Sequence, residues 1–426
     1  MPRFWKRAVP PPAADASHSE PADGDALYEK TILKSGDGDM YSLLLALIYI
    51  AFISLGLPDS LLGAGWPVIH TDLNVPVSYM GIVSMVISGG TIVSSLLSAR
   101  LTGKLGTQIV TVISVFLTAI ALLGFSFSSR FWMLVVFAVP YGLGAGAVDA
   151  ALNNYVALHY TSKHMSWLHC FWGVGTIISP FIMRYALTHS VWNSGYRITA
   201  FIQLGIGLFL LATLPVWKKT NRKQAEDGAG GVGLVGALKI RGVPCLLFGF
   251  FAYCAAEATA MGWASTYLVE AKGLPAEQAA GLASLFYIGI TAGRFLGGFL
   301  MNRFGDRNMI VLGACILSCG IVSLMIPAEN PVISLVGFAV IGFGCAPIYP
   351  CMIHSTPANF GAENSGAVIG IQMASAYVGS TFVPPLFGFL GSLIGFSILP
   401  IYLFVFVLLM VGMTERMFRI AAKRGA

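Results

Sequence analysis

Long unbroken apolar runs dominate the chain, with short polar breaks between them, and none shows the strict alternation of a half-buried strand. A helix needs roughly 20 mostly apolar residues to cross a bilayer. Runs of that kind lie at 41–69, 78–98, 108–127, 131–158, 165–188, 196–216, 243–270, 278–301, 308–326, 332–356, 363–391 and 395–413. Their continuity predicts helices rather than the strands of a membrane barrel. Residues 1–40 are rich in Pro, Ala, Asp and Ser and lack the apolar core of a cleavable signal, so they predict a disordered tail, and the first helix directs insertion.

Composition sharpens this picture. Of 426 residues 56% are apolar and 10% charged, against about 25% charged in a soluble globular protein. That excludes a soluble enzyme, a disordered chain, and a nucleic-acid binder working through phosphate neutralisation. The net charge of +6 does not argue otherwise, because Lys and Arg flank apolar runs instead of lining one face.

Their distribution sets a direction. With the N-terminus inside, 20 of the 25 Lys and Arg fall in inner segments; Arg130, Arg184, Arg197 and Lys272 fall outside, and Arg294 lies within a span. Both termini are therefore expected in the cytoplasm, in a multi-pass protein of the plasma or inner membrane that acts as a monomer.

The seven Cys all sit in apolar runs, and no CxxC or HExxH occurs, so neither a metal site nor a cofactor is expected. The Walker A pattern and the G-x-S-x-G elbow are absent too, which argues against a nucleotide-driven pump and a hydrolase.

The charged, Gly-rich break at 217–242 divides the chain into 41–216 and 243–413, six spans each, before a short tail at 414–426. The halves repeat at nearly one offset. The loop at Ala99–Gly106 matches that at Gly298–Gly305; Gly142-Leu143-Gly144 matches Gly342-Phe343-Gly344; Gly175-x4-Pro180 matches Gly379-x4-Pro384. Three matches in register predict a duplicated six-helix unit. The expected fold class is thus an all-α membrane protein, with twelve transmembrane helices in two pseudo-symmetric bundles.

This arrangement resembles the major facilitator superfamily over essentially the whole chain. That family's loop pattern is G-x3-D-R/K-x-G-R/K. The second copy here keeps Gly298, Arg303 and Gly305, with Asn302 for Asp; the first keeps Lys104 and Gly106. The resemblance implies gating or structural roles for Lys104 and Arg303. Within the superfamily, three segments resemble the fucose-permease-like sugar:proton symporters. Pro58-Asp59-Ser60-Leu61-Leu62 is similar to Asn-Asp-x-Leu-Leu. Gly142-x-Gly144-x4-Asp149-Ala-Ala-x-Asn153 is similar to G-x-G-x2-E-x-A-A-N-P. His169-Cys170-Phe171-Trp172-Gly173-Val174-Gly175 follows Q-x-F-N-x-x-G, with His for Gln and Trp for Asn. The resemblance implies a membrane-embedded coupling carboxylate at Asp149.

The residues carry their own argument. A charge at mid-bilayer costs roughly 2.5–3.5 kcal/mol on insertion scales, so Asp59, Asp149, Glu257 and Arg294 should each face a cavity or a partner. Pro58 weakens the first helix beside Asp59, which either meets solute or caps a broken helix. Asp149 and Asn153 share a face, and a carboxylate in low dielectric suits reversible proton transfer. Glu257 lies near the symmetry mate of Asp59 and either binds solute or pairs with Arg294, the most structural of the four. His169 and Trp172 share a face suited to a sugar; Tyr349, His354, Gln372 and Tyr377 are further polar candidates in the second half.

Together these predict proton-coupled uptake of a monosaccharide by alternating access, with Asp149 and Asp59 as proton sites. Asp59, Asn153, His169, Trp172, Glu257, Tyr349 and Gln372 are the expected solute ligands. The alternatives are a drug:proton antiporter, disfavoured because Gly175-Thr-Ile-Ile-Ser-Pro180 lacks the adjacent Gly-Pro of such exporters, and a sodium-coupled or facilitative sugar carrier.

Overall fold

The structure, a computed structural model, describes residues 38–76, 79–217, 232–274, 276–326 and 332–423. Most of the tail expected over 1–40, residues 218–231 of the linker and the last three residues lie outside that set. Every regular element among the described residues is helical.

The first span is broken, as Pro58 demands. Helix Gly38–Gly56 stops, residues 57–60 turn, and Leu61–Asp72 resumes the path. Spans two to six follow as Met80–Leu105, Thr107–Ser126, Phe131–His159, Ser162–His189 and Trp192–Ala212. A short helix, Leu234–Lys239, precedes the seventh span, Val243–Glu270.

Eleven of the described helices are long and apolar enough to cross a membrane. The longest, Ala276–Met325, is two spans joined at Gly305, whose φ of 73° no helix holds. Counting it as two gives the twelve expected. The tenth span, Val332–Cys345, continues as Ile348–His354 past Pro347; Ala362–Ile394 and Leu399–Ala422 complete the set. The last helix runs well beyond the expected edge at 413. Glu415 explains the extension: it pairs with Arg419 one turn on (3.1 Å) and with Arg307 (2.7 Å), so the polar end of the helix is stitched to the loop after the eighth span.

The sequence repeats reappear as repeated contacts. Gly106 (φ 83°) and Gly305 (φ 73°) both turn the chain in the left-handed region at matched positions. A Cβ on Gly142 would collide with the Ile87 carbonyl, and one on Gly342 with the Phe286 carbonyl, 199 residues later. Gly175 meets the Ile53 carbonyl as Gly379 meets that of Phe251. Each pair lets two spans approach more closely than a side chain would allow. In the first half hydroxyls tighten the same seam: Ser94 donates to the Gly142 carbonyl (3.3 Å), Ser95 to Gly146 (3.2 Å) and Ser98 to Ala147 (3.1 Å).

The outer surface is apolar. Phe201, Phe248, Phe389, Leu393, Ile401 and Val405 are all exposed, an arrangement that water penalises and acyl chains accept.

Contacts between the halves fall on one side of the molecule. Ser365 donates to Asn154 (2.8 Å) and Ser166 to the Arg294 carbonyl (2.6 Å), while the Trp167 and Phe299 rings meet edge to face at 5.6 Å. All lie between mid-membrane and the face bearing the chain termini, hereafter the terminal face. The polar contacts between the halves described above thus gather toward the terminal face.

Candidate functional site

Asp59 occupies the break in the first span, and its side chain reaches two donors from other spans. Oδ1 accepts the Tyr141 hydroxyl at 2.9 Å and Oδ2 accepts the Trp172 indole N–H at 2.8 Å. The residue remains exposed, so the carboxylate is held in place without being sealed. It lines a cavity of about 310 Å³ whose wall includes Pro58, Ser84, Ser88, Tyr141 and Tyr196. This is the low end of ligand-pocket volumes, roughly 300–1,000 Å³.

Asp149 is in a different situation. It is 4% exposed, and both oxygens are engaged. Oδ1 accepts Asn153 Nδ2 (2.8 Å), from the next turn of its own helix, while Oδ2 accepts the Tyr377 hydroxyl (2.6 Å) from the opposite half. Asn153 Oδ1 in turn lies 3.1 Å from His169 Nε2. An amide oxygen only accepts, so the ring proton sits on Nε2. His169, Asn153, Asp149 and Tyr377 thus form one continuous hydrogen-bonded line across the interface. Tyr349 closes it from the second half, its ring edge-on to His169 at 4.7 Å.

Glu257 faces Arg294, the pairing that was one of its two expected roles. Its carboxylate lies 3.4 Å from Arg294, the two side chains being 17% and 7% exposed. The Arg294 guanidinium also stands over the Trp172 ring, 5.7 Å from its centre. Asp59 and its near symmetry mate Glu257 are therefore the two ends of one chain, Asp59–Trp172–Arg294–Glu257, that spans the cleft. Within the second half the Arg294–Glu257 pairing offsets part of the cost of burying either charge alone.

Other expected residues are placed elsewhere. Gln372 is fully buried; its Oε1 accepts the Thr356 hydroxyl at 2.9 Å from an adjoining helix of the second half, and its Nε2 is buried without a hydrogen-bond partner. Lys104 and Arg303 are exposed on the terminal face. The cross-half contact of that loop is made by a neighbour: Asn302 Oδ1 accepts the Lys163 backbone N–H at 3.3 Å. His354 lies at the terminal-face interface and not at mid-membrane. Tyr141 was missed by spacing arguments, because its partner Asp59 is 82 residues earlier. No group of three or more metal-ligating side chains occurs among the described residues.

The family model described as Major Facilitator Superfamily matches residues 48–384 and 246–423. The chain belongs to that superfamily. Among relatives, YfkL of Bacillus subtilis, an uncharacterised transporter of the same superfamily, is 24% identical, with 86% of this chain and 92% of YfkL covered. The glucose/mannose transporter GlcP of the same organism is 26% identical over 54% of this chain and 59% of GlcP. In structure the chain is similar to FucP in its outward conformation: TM-score 0.73, 17% identity, 88% of this chain and 99% of that one. The protein is a multi-pass membrane transporter and not an enzyme.

Proposed function

We propose that this transporter moves a monosaccharide or a closely related small polyhydroxylated solute together with protons, binding it beside Asp59 and coupling it through Asp149. The carrying observation is the pair of carboxylates in contrasting settings: Asp59 exposed on a cavity of the first bundle and bonded to an indole and a phenol, Asp149 buried and bridging the halves. A carboxylate, Tyr141 and Trp172 supply acceptors and donors for hydroxyls, with an aromatic face for the apolar side of a sugar ring. A cavity of about 310 Å³ suits such a solute better than a drug-sized one. The relationship to GlcP supports the same class.

In this scheme the distal side is the outside and the terminal face the cytoplasm, in keeping with the Lys and Arg distribution. Solute enters from the distal side and takes over hydrogen bonds at Asp59. A proton reaching Asp149 cancels the charge to which Tyr377 and Asn153 donate, which weakens the bond between the halves. The terminal face then opens and both are released. What supports the coupling is that the bond weakened by protonation is also one that fastens the two bundles together.

Uptake of labelled hexoses into proteoliposomes, driven by an inward proton gradient, tests this reading. We expect accumulation that collapses with a protonophore and is unchanged when sodium is replaced by choline. Accumulation that needs sodium and ignores the protonophore would refute proton coupling. Binding of cationic drugs with no response to any sugar would refute the solute class.

A further inference from the structure

A second titratable cluster lies far from the cavity, on the terminal face. His354, at the end of the tenth span, faces two oxygens. Its Nδ1 is 2.7 Å from Asp306 Oδ2, and its Nε2 is 2.9 Å from the backbone carbonyl of Tyr160. Ser162 completes the set, donating to Asp306 Oδ1 at 2.5 Å while its oxygen lies 2.9 Å from His354 Nδ1. Tyr160 and Ser162 belong to the first half, Asp306 and His354 to the second, so the cluster fastens one bundle to the other.

The donor count decides its protonation. A carbonyl oxygen can only accept, so Nε2 must carry hydrogen. Across the 2.7 Å to Asp306 a proton must also lie between ring and carboxylate, since two lone pairs at that distance repel. A neutral ring beside an ionised Asp306 holds one proton too few for both bonds. A doubly protonated ring facing the carboxylate would supply a hydrogen to each bond.

We propose that His354 and Asp306, with Ser162 and the Tyr160 carbonyl, form a proton-binding latch that holds the terminal face shut when that compartment is acidic. Loss of the proton leaves one of the two histidine bonds unmade and frees the halves to part. The sign follows directly: the fastening is complete at low pH and is lost as pH rises. Among the described residues, the charged and titratable groups facing the ring are few. Asp306 comes from the loop after the eighth span, and Cys351, whose thiol bonds Asp306, from the ring's own helix. His164 and Lys163 come from the start of the fifth span. Lys163 turns to the Trp167 ring, 4.4 Å from its centre, and His164 Nδ1 meets the Thr161 hydroxyl at 3.1 Å, which leaves Asp306 to His354. The two latch side chains are 14% and 15% exposed, enough to exchange protons with solvent and little enough for the charge pair to matter. Tyr160 stands eleven residues beyond Asp149, about 16 Å along the helix axis, so this proton is distinct from the coupling proton. A cell whose interior turns acidic would thereby slow its own further proton entry through this carrier.

Hydrogen exchange of the purified full-length protein, followed by mass spectrometry between about pH 5 and pH 8 and corrected for intrinsic exchange, reads the latch without any transport assay. It does not depend on the solute or on Asp149. In the wild type, protection of peptides covering 160–166, 302–308 and 352–358 should fall about tenfold as pH rises, while peptides around Asp59 change little. His354→Gln should give low protection independent of pH, and His354→Lys, which keeps a charge, high protection independent of pH. Should His354→Gln fail to fold, Asp306→Asn serves as the second variant, with the same flat, low profile expected. Equal corrected protection across the pH range in the wild type, or a slope that survives in both variants, would overturn the latch.

Discussion

Tyr377 and Asp149 are joined by a 2.6 Å hydrogen bond that passes from one bundle to the other near mid-membrane. It ties the ionisation of one buried carboxylate to the docking of the two halves. A bond to an ionised group is worth about 1.5–3 kcal/mol, comparable to the free-energy differences that separate the states of a carrier.

Asp149→Asn keeps the shape of the site but cannot take up a proton. Solute exchange between equal pools should persist, while accumulation driven by a proton gradient disappears. Counterflow and gradient-driven uptake measured side by side on one preparation check this. Normal accumulation with unchanged pH dependence would remove Asp149 from the coupling role.

Tyr377→Phe removes the hydroxyl alone. The terminal face should open more often, by a factor of about 10 or more for a bond of this kind. Alkylation by an impermeant maleimide of a cysteine introduced into the terminal half of the cleft measures that opening. Asn153→Ala should act in the same direction but more weakly, because it loosens Asp149 within its own half.

Trp172→Phe keeps an aromatic ring over which Arg294 can stand but deletes the N–H given to Asp59. Solute affinity should fall about tenfold, the cost of one lost charge-assisted bond, with thermal stability little altered. Tyr141→Phe should behave alike, since it donates to the other oxygen. Titration of solute-induced thermal shifts distinguishes affinity from folding.

Arg294→Met alone leaves Glu257 without its partner, and breaking a buried pair costs about 3–5 kcal/mol. The melting temperature should drop sharply. The double variant Arg294→Met with Glu257→Leu should recover much of it, because no lone charge remains. If the double variant melts no higher than the single one, the pairing is not what holds this part of the fold.

Gly142→Ala and Gly342→Ala form a matched pair. Each methyl would press on a carbonyl of the neighbouring span, Ile87 in one half and Phe286 in the other. Overpacking of this sort costs about 1–3 kcal/mol, and the two losses should be similar if the halves share one packing plan. Thermal unfolding of each variant provides the comparison.

Much of this architecture could be read from the chain. Twelve apolar runs, the break at Pro58 and the doubled glycine motifs all have local causes; two of the three matched motifs return as matched contacts and the third as a matched backbone turn. The site was legible only where its residues announce themselves by cost. Asp59, Asp149, Glu257 and Arg294 stand out because charge in a bilayer demands an explanation. Which partner each one finds depends on how helices distant in sequence are brought together. Tyr141 reaches Asp59 across 82 residues, and an ordinary tyrosine in an apolar run gives no sign of that. Gln372 shows the converse: its amide oxygen finds Thr356 inside one bundle, while its Nε2 is buried without a partner, and neither outcome is written in the local sequence. Asp306 did leave a mark, an acid at the last position of the loop motif, where the superfamily pattern places a base.

Fastening on one side only gives an empty carrier a preferred resting posture. With bonds gathered near the termini, an unloaded population under the proposed scheme should wait with its mouth turned to the far compartment. A ligand arriving there finds the site ready, whereas one arriving from the other side must first wait for a scarce conformer and binds more weakly by that scarcity. Half-saturation measured from the two sides of one membrane should therefore be unequal.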